Sequence, residues 1–222
     1  MKRVVCYSMA VITMLLVARV PPACAQDEDL PKVEVGAQFS SLSLGRIDFL
    51  DSETKAGFGG RITFNLNRSL ALEAEGNFFP RQEPQASARG GRALQGLFGV
   101  KAGKRFERFG VYGKARPGFV HFTDAINEIS STSAVLDGET FFFPELRTGG
   151  KTHFAVDVGG VLELYHTRRV LTRFDFGDTI IRYGERPGAF FTGLPGEPPI
   201  IFTRPATTRH NFQFSAGVSF RF

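Results

Sequence analysis

The sequence predicts an all-β fold, an eight-stranded antiparallel up-and-down transmembrane β-barrel, on three observations. Apolar and polar residues alternate with period two in eight separate segments. The connections between these segments are short and long by turns. Beyond the N-terminal leader, no segment approaches the run of about 18 apolar residues that a spanning helix needs, so a membrane crossing here must use strands.

The segments follow in order. The first, about Val33–Leu42, sets Val33, Val35, Ala37 and Phe39 on one face. Ala56–Leu66 does the same with Phe58, Ile62, Phe64 and Leu66, and Leu70–Phe79 with Leu70, Leu72, Ala74 and Phe78. Ala93–Gly103 presents Leu94, Phe98 and Val100, and Phe109–Val120 presents Phe109, Val111, Ala115 and Phe119. Thr152–Tyr165 carries Phe154, Val156, Val158, Leu162 and Leu164, and Arg169–Tyr183 carries Val170, Phe174 and Phe176. The last segment is the clearest, with Phe212, Phe214, Ala216, Val218, Phe220 and Phe222 against Asn211, Gln213, Ser215, Gly217, Ser219 and Arg221. Each is close to the roughly 9–11 residues with which a tilted strand crosses the hydrocarbon. The short connections are Asn67–Ser69, Lys104–Arg108 and His166–Arg168, and the long ones are Ser43–Lys55, Pro80–Arg92, His121–Lys151 and Gly184–Arg209. In transmembrane barrels the short side is periplasmic, and an even strand number returns the chain to the side where it began.

Residues 1–25 read as a secretory signal. Lys2 and Arg3 precede a 15-residue, mostly apolar run from Val4 to Ala18, and Ala23-Cys24-Ala25 offers the small-residue cleavage pattern before residues 26–222, one barrel domain. A lipidated Cys24 is disfavoured because Pro21-Pro22-Ala23 lacks the aliphatic residue such sites carry upstream. Cys6 and Cys24 both leave with the signal, which excludes disulfides, zinc–thiolate sites and cysteine nucleophiles from the mature chain. Lys2, Arg3 and Arg19 leave too, lowering the formal charge from +5 to +2, too little to argue for a nucleic-acid partner.

The polar face carries Glu34, Arg61, Glu73, Glu75, Lys101, Lys114, Arg116, Asp157, Glu163, Arg173, Asp175 and Arg221, six basic and six acidic. A narrow lumen would require such a balance, since an unpaired buried charge is very costly. The solvated outside of a soluble periplasmic ligand-binding barrel would tolerate it too. Glycines such as Gly36, Gly57, Gly59 and Gly99, expected on both faces, would leave room for long side chains. Three features favour lipid around the apolar face. The signal exports the chain. Aromatics gather near strand ends (Phe78, Phe79, Phe109, Phe119, Phe122, Tyr165, Tyr183), as interfacial girdles require. The last residue, Phe222, is itself an aromatic of the apolar face.

The final strand, with Phe214, Val218, Phe220 and Phe222, resembles the assembly signal of bacterial outer-membrane proteins handled by the barrel-assembly machinery. The chain from residue 26 resembles the OmpA-like and OmpX-like small outer-membrane β-barrel superfamily, and Arg168–Arg182 is similar to the seventh strand of its members. The resemblance implies an outer-membrane location and is nearly silent on function. Unlike full-length OmpA, the sequence ends with the barrel, which puts a cell-wall tethering role in doubt.

The lumen charges Arg61, Glu73, Glu75, Lys114, Arg116, Asp157, Glu163, Arg173 and Asp175 are candidates for a static plug or for a small porin-like path for ions or solutes. His121, His153, His166 and His210 fall near strand ends without metal-ligand spacing, so no metal or other cofactor is expected. Some eight-strand barrels acylate or deacylate lipid A, but His121-Phe122-Thr123-Asp124 and His166-Thr167 do not complete a catalytic set. A non-enzymatic surface role leads, with the pore second and a lipid A-modifying enzyme third. Loops 121–151 and 184–209 hold apolar clusters, Phe141-Phe142-Phe143 and Pro198-Pro199-Ile200-Ile201-Phe202 among them, that suit an extracellular partner, a cap on the barrel or a continuation of the strands above the bilayer. Arg81, Arg89, Arg92, Arg147, Lys151, Arg186, Arg204 and Arg209 are placed to meet lipopolysaccharide phosphates.

Overall fold

The alternation predicts strands wherever it persists, and the computed structural model describes residues 31–46, 52–81 and 90–222, all within the unit Pro31–Phe222. The secretory-signal residues and Arg89 lie outside the described residues. Among the described residues eleven strands follow one another: β1 (Val33–Leu44), β2 (Glu53–Asn65), β3 (Leu70–Phe79), β4 (Ala93–Arg105), β5 (Phe109–Leu136), β6 (Glu139–Tyr165), β7 (Val170–Tyr183), β8 (Arg186–Phe190), β9 (Ile200–Arg204), β10 (Thr207–Arg209) and β11 (Phe212–Arg221). β1 to β7 pair antiparallel in sequence order, β7 pairs β11, and β11 returns to β1. Eight strands thus close on themselves, so no edge is left to meet lipid.

The turns on one side are local and self-satisfied. Asn67 Oδ1 accepts from the Ser69 and Leu70 amides, both at 2.8 Å. Thr167 Oγ1 accepts from those of Arg169 (3.1 Å) and Val170 (2.9 Å). These side chains cap the exposed backbone of a tight reversal.

The apolar face points outward. Val35, Phe39, Phe58, Ile62, Phe64, Leu72, Phe98, Val111, Phe154, Phe176, Val218 and Phe220 are all exposed around the barrel wall, while the alternate positions are buried. A water-soluble barrel has the reverse arrangement. Apolar surface of this extent is stable only against hydrocarbon, so the strands span a membrane.

Three expectations need correction. The bounds of the fifth and sixth strands are the first, since of the readings open for His121–Lys151 the structure shows strands continued above the barrel. β5 and β6 run on past the barrel as a two-stranded arm, paired from Ala125↔Gly149 to Leu136↔Glu139, with register shifts at its base (Phe122/Ala125 and Ile126/Glu128). Its tip is Asp137-Gly138, both with positive φ (52° and 83°), the geometry of the two-residue hairpin turn that Asp-Gly favours. Gly184–Arg209 likewise folds, as the β8–β9 hairpin and the short β10, which pairs antiparallel with the end of β7. Second, Phe79, Phe122 and Tyr183 are buried inside the barrel rather than at an interfacial girdle, and Tyr165 hydrogen-bonds within the lumen. Third, Gly36, Gly57, Gly59 and Gly99 all share the inner face with the buried polar residues of their strands. At Gly59 an added Cβ would collide with the Asn77 side chain, so glycine there makes room for an inward-pointing carboxamide.

Candidate functional site

The inward side chains stack in four layers along the barrel. At the turn side, Arg105 bridges Glu34 (3.2 Å), Tyr112 (3.2 Å) and Tyr165 (3.1 Å). The two phenol oxygens lie 2.9 Å apart. Arg221 lies over the Tyr165 ring at 4.3 Å. The sequence treats Arg105 only as part of a turn, and it enters this layer because β4 continues two residues beyond Gly103.

The second layer holds ten charges. All nine predicted lumen residues are buried here, joined by Lys101. Arg116, with no solvent exposure, is the hub. Its Nη1 lies 2.6 Å from Glu75 and 3.5 Å from Glu73, and its Nη2 2.6 Å from Asp157. Arg61 reaches Asp175 at 3.1 Å and Glu75 at 3.4 Å. Lys114 lies 2.9 Å from Asp157 and 3.5 Å from Asp175. Arg173 holds Asp175 (2.8 Å), Glu163 (3.4 Å) and Glu73. Lys101 closes the set on Glu163 at 2.5 Å. Arg61, Lys101, Lys114, Arg116 and Arg173 stand against Glu73, Glu75, Asp157, Glu163 and Asp175, so formal charge cancels within the layer. Each ion has more than one counter-ion, the condition under which burial of charge is tolerated.

The third layer is neutral and hydrogen-bonded. Asn77 joins Gln38 (2.9 Å), Ser40 (3.0 Å) and Gln95 (2.8 Å), Gln95 joins Gln213 (2.8 Å), and Gln213 accepts from Thr179 (2.7 Å). Arg61 Nη1 donates to Gln38 at 2.7 Å and ties this belt to the charges.

The fourth layer, at the loop side, is mostly apolar, with Lys55, in register with Leu42 and bonded to Glu53 at 2.8 Å, also buried there. Leu42, Leu44, Phe79, Ala93, Val120, Phe122, Ala125, Ala155, Ile181 and Tyr183 form one buried cluster. His153 sits among them, 5.9 Å from the Phe122 ring and 4.8 Å from the Tyr183 ring. Sequence reasoning misses this layer and assigns the inner face to polar residues alone. The signal lay in the doublets Phe78-Phe79 and Ile180-Ile181, where apolar residues occupy both faces at strand ends.

The other histidines make pairs only. His121 bonds Thr152 (2.8 Å), His166 bonds Thr172 (2.7 Å) and His210 bonds Asp178 (2.5 Å). Among the described residues, no three His, Cys, Asp or Glu side chains group as metal ligands. Of the expected phosphate-binding cations, Arg186 is buried and lies over Tyr183 at 5.9 Å, and Arg81 is engaged by Asp124. Arg92, Arg147 and Arg209 are exposed. Beyond the barrel, Val135, Leu136, Phe143 and Leu146 on the arm, and Phe190, Leu194, Ile200 and Ile201 around the β8–β9 hairpin, are exposed apolar groups. Phe214, Val218, Phe220 and Phe222 all face outward from β11.

The sequence matches no protein-family profile and no curated protein. Among solved structures, the chain is similar to Neisserial surface protein A (14% identity, 86% of this chain and 96% of that one, TM-score 0.46). It is also similar to Ail, the attachment invasion locus protein of Yersinia pestis (10%, 86% and 96%, TM-score 0.45). A third is the outer membrane protease OmpT of Escherichia coli (9%, 86% and 96%, TM-score 0.38). The strand pairing and the outward apolar face already define the architecture, which is that of an eight-stranded transmembrane β-barrel.

Proposed function

We propose that the protein is a non-enzymatic outer-membrane barrel whose lumen is closed and whose working surface is the extracellular arm with the β8–β9 hairpin. The observation that carries this reading is the pair of seals in series, a self-neutralised ten-charge layer and an apolar layer. A passing ion would have to break a multiply paired salt-bridge network and then enter an apolar plug, and both steps are very costly. In this reading the short turns are periplasmic and the exposed apolar residues of the arm and hairpin meet an extracellular partner. Arg92, Arg147 and Arg209 meet lipopolysaccharide phosphates. The outward aromatics of β11 are read by the barrel-assembly machinery during biogenesis.

The test is single-channel recording of the chain from residue 26, refolded in detergent and inserted into a planar bilayer. Absent or rare, irregular openings are expected. Steady, ion-selective conductance would move the protein into the transport class and make the charge layer its site.

A further inference from the structure

Charge is divided unevenly along the barrel. The lumen layer is neutral, and at the loop side acidic and basic groups are interspersed, with Arg81 against Asp124, Arg147 against Glu128 and His210 against Asp178. The turn side is different. Six exposed cations ring it (Lys32, Arg68, Lys104, Arg108, Arg168 and Arg169), and Glu107 is the one exposed acid among its described residues. Glu34, the other acid there, is buried and paired with Arg105 at 3.2 Å. Asp27, Glu28 and Asp29, just upstream in the sequence and outside the described residues, still leave the sum positive. Aromatic groups interleave with the cations. Phe106 stacks on Phe109 at 4.6 Å, and Lys104 lies over the Phe106 ring at 5.3 Å. The outward-facing Phe64 and Phe220 stand near this end of the apolar belt. The cations therefore sit where hydrocarbon gives way to headgroups, four of them as guanidiniums that match phosphate geometry.

We propose that this rim binds the headgroups of anionic phospholipids, of the phosphatidylglycerol class, and gives the barrel an anionic lipid annulus on its turn side. Basic residues at a membrane boundary attract anionic lipid, and the attraction is screened by salt. The outward aromatics fix the depth at which the cations meet the phosphodiesters.

The barrel, refolded into phosphatidylcholine bilayers, is probed with trace spin-labelled phosphatidylglycerol or phosphatidylcholine. The expected result is a several-fold preference of the protein-bound population for phosphatidylglycerol, reduced on raising salt. The variant R68Q/K104Q/R108Q/R168Q/R169Q loses it. Heat-modifiable migration establishes that each variant is folded. Should the quintuple variant not refold, R168Q/R169Q, confined to one turn, is expected to lower the preference. Equal affinity for the two lipids in the wild type, or a preference that survives in folded rim variants, overturns the proposal. So does rim-dependent cosedimentation with purified peptidoglycan in the absence of lipid selectivity, which would assign the rim to the cell wall.

Discussion

Arg173 shows how much one residue does inside this barrel. Its guanidinium is fully buried and neutralises Glu73, Asp175 and Glu163 together. Arg173→Met leaves three carboxylates with too few counter-ions in a site that water cannot relieve. A loss of about 3–5 kcal/mol is expected, read as a lower urea midpoint for unfolding from lipid vesicles. An unchanged midpoint would remove the salt-bridge reading at this position. Gly59→Ala tests the neighbouring belt. The added methyl displaces the Asn77 carboxamide, which holds Gln38, Ser40 and Gln95. A cost of about 1–3 kcal/mol follows from leaving buried amides unpaired, and the same urea titration measures it. At this scale the sequence was highly informative about facing and silent about partners. Strict parity alone puts Arg116 and Asp157 on the inner face. That Arg116 meets Glu75, 41 residues away and two strands along the sheet, depends on how far long inward side chains reach across β4.

Among elements, the β5–β6 arm is the one that alternation signals least. Within the bilayer, one face must be apolar, so alternation is strict and strands such as β11 can be read directly. Past the bilayer both faces meet water, the constraint lapses, and Ser130-Ser131-Thr132-Ser133 looks like a loop although it is paired strand. Asp137-Gly138 is the one local signal that survives, and it marks the hairpin tip. The inward apolar layer escaped detection for a related reason. Where Phe78-Phe79 and Ile180-Ile181 fill both faces, period two vanishes and the inner side cannot be told from the outer. Because the arm's pairing from Glu128↔Arg147 outward is independent of barrel closure, replacing residues 128–147 with a two-residue turn should leave folding intact. Heat-modifiable migration and the urea midpoint are expected to match the full chain, with binding to any extracellular partner lost. A barrel that no longer refolds would make the arm part of the folding unit rather than an appended surface.

The whole molecule is sealed twice, and the two seals differ in kind. The charge layer blocks passage by mutual neutralisation and volume, and the loop-side layer blocks it by filling most of its cross-section with apolar side chains. Seals in series fail only together. E75Q/R116Q removes one charge of each sign and so preserves neutrality, while leaving the apolar cluster complete. L42S/F122S wets the apolar layer and leaves all ten charges in place. Neither pair alone should raise single-channel conductance above the wild-type baseline, whereas the quadruple variant should show sustained openings if heat-modifiable migration confirms that it folds. Conductance from L42S/F122S by itself would mean that the charge layer does not obstruct ions and that the apolar cluster is the sole gate. Conductance from E75Q/R116Q by itself would mean the converse, and either result would replace the two-seal barrel with a single constriction at a known depth.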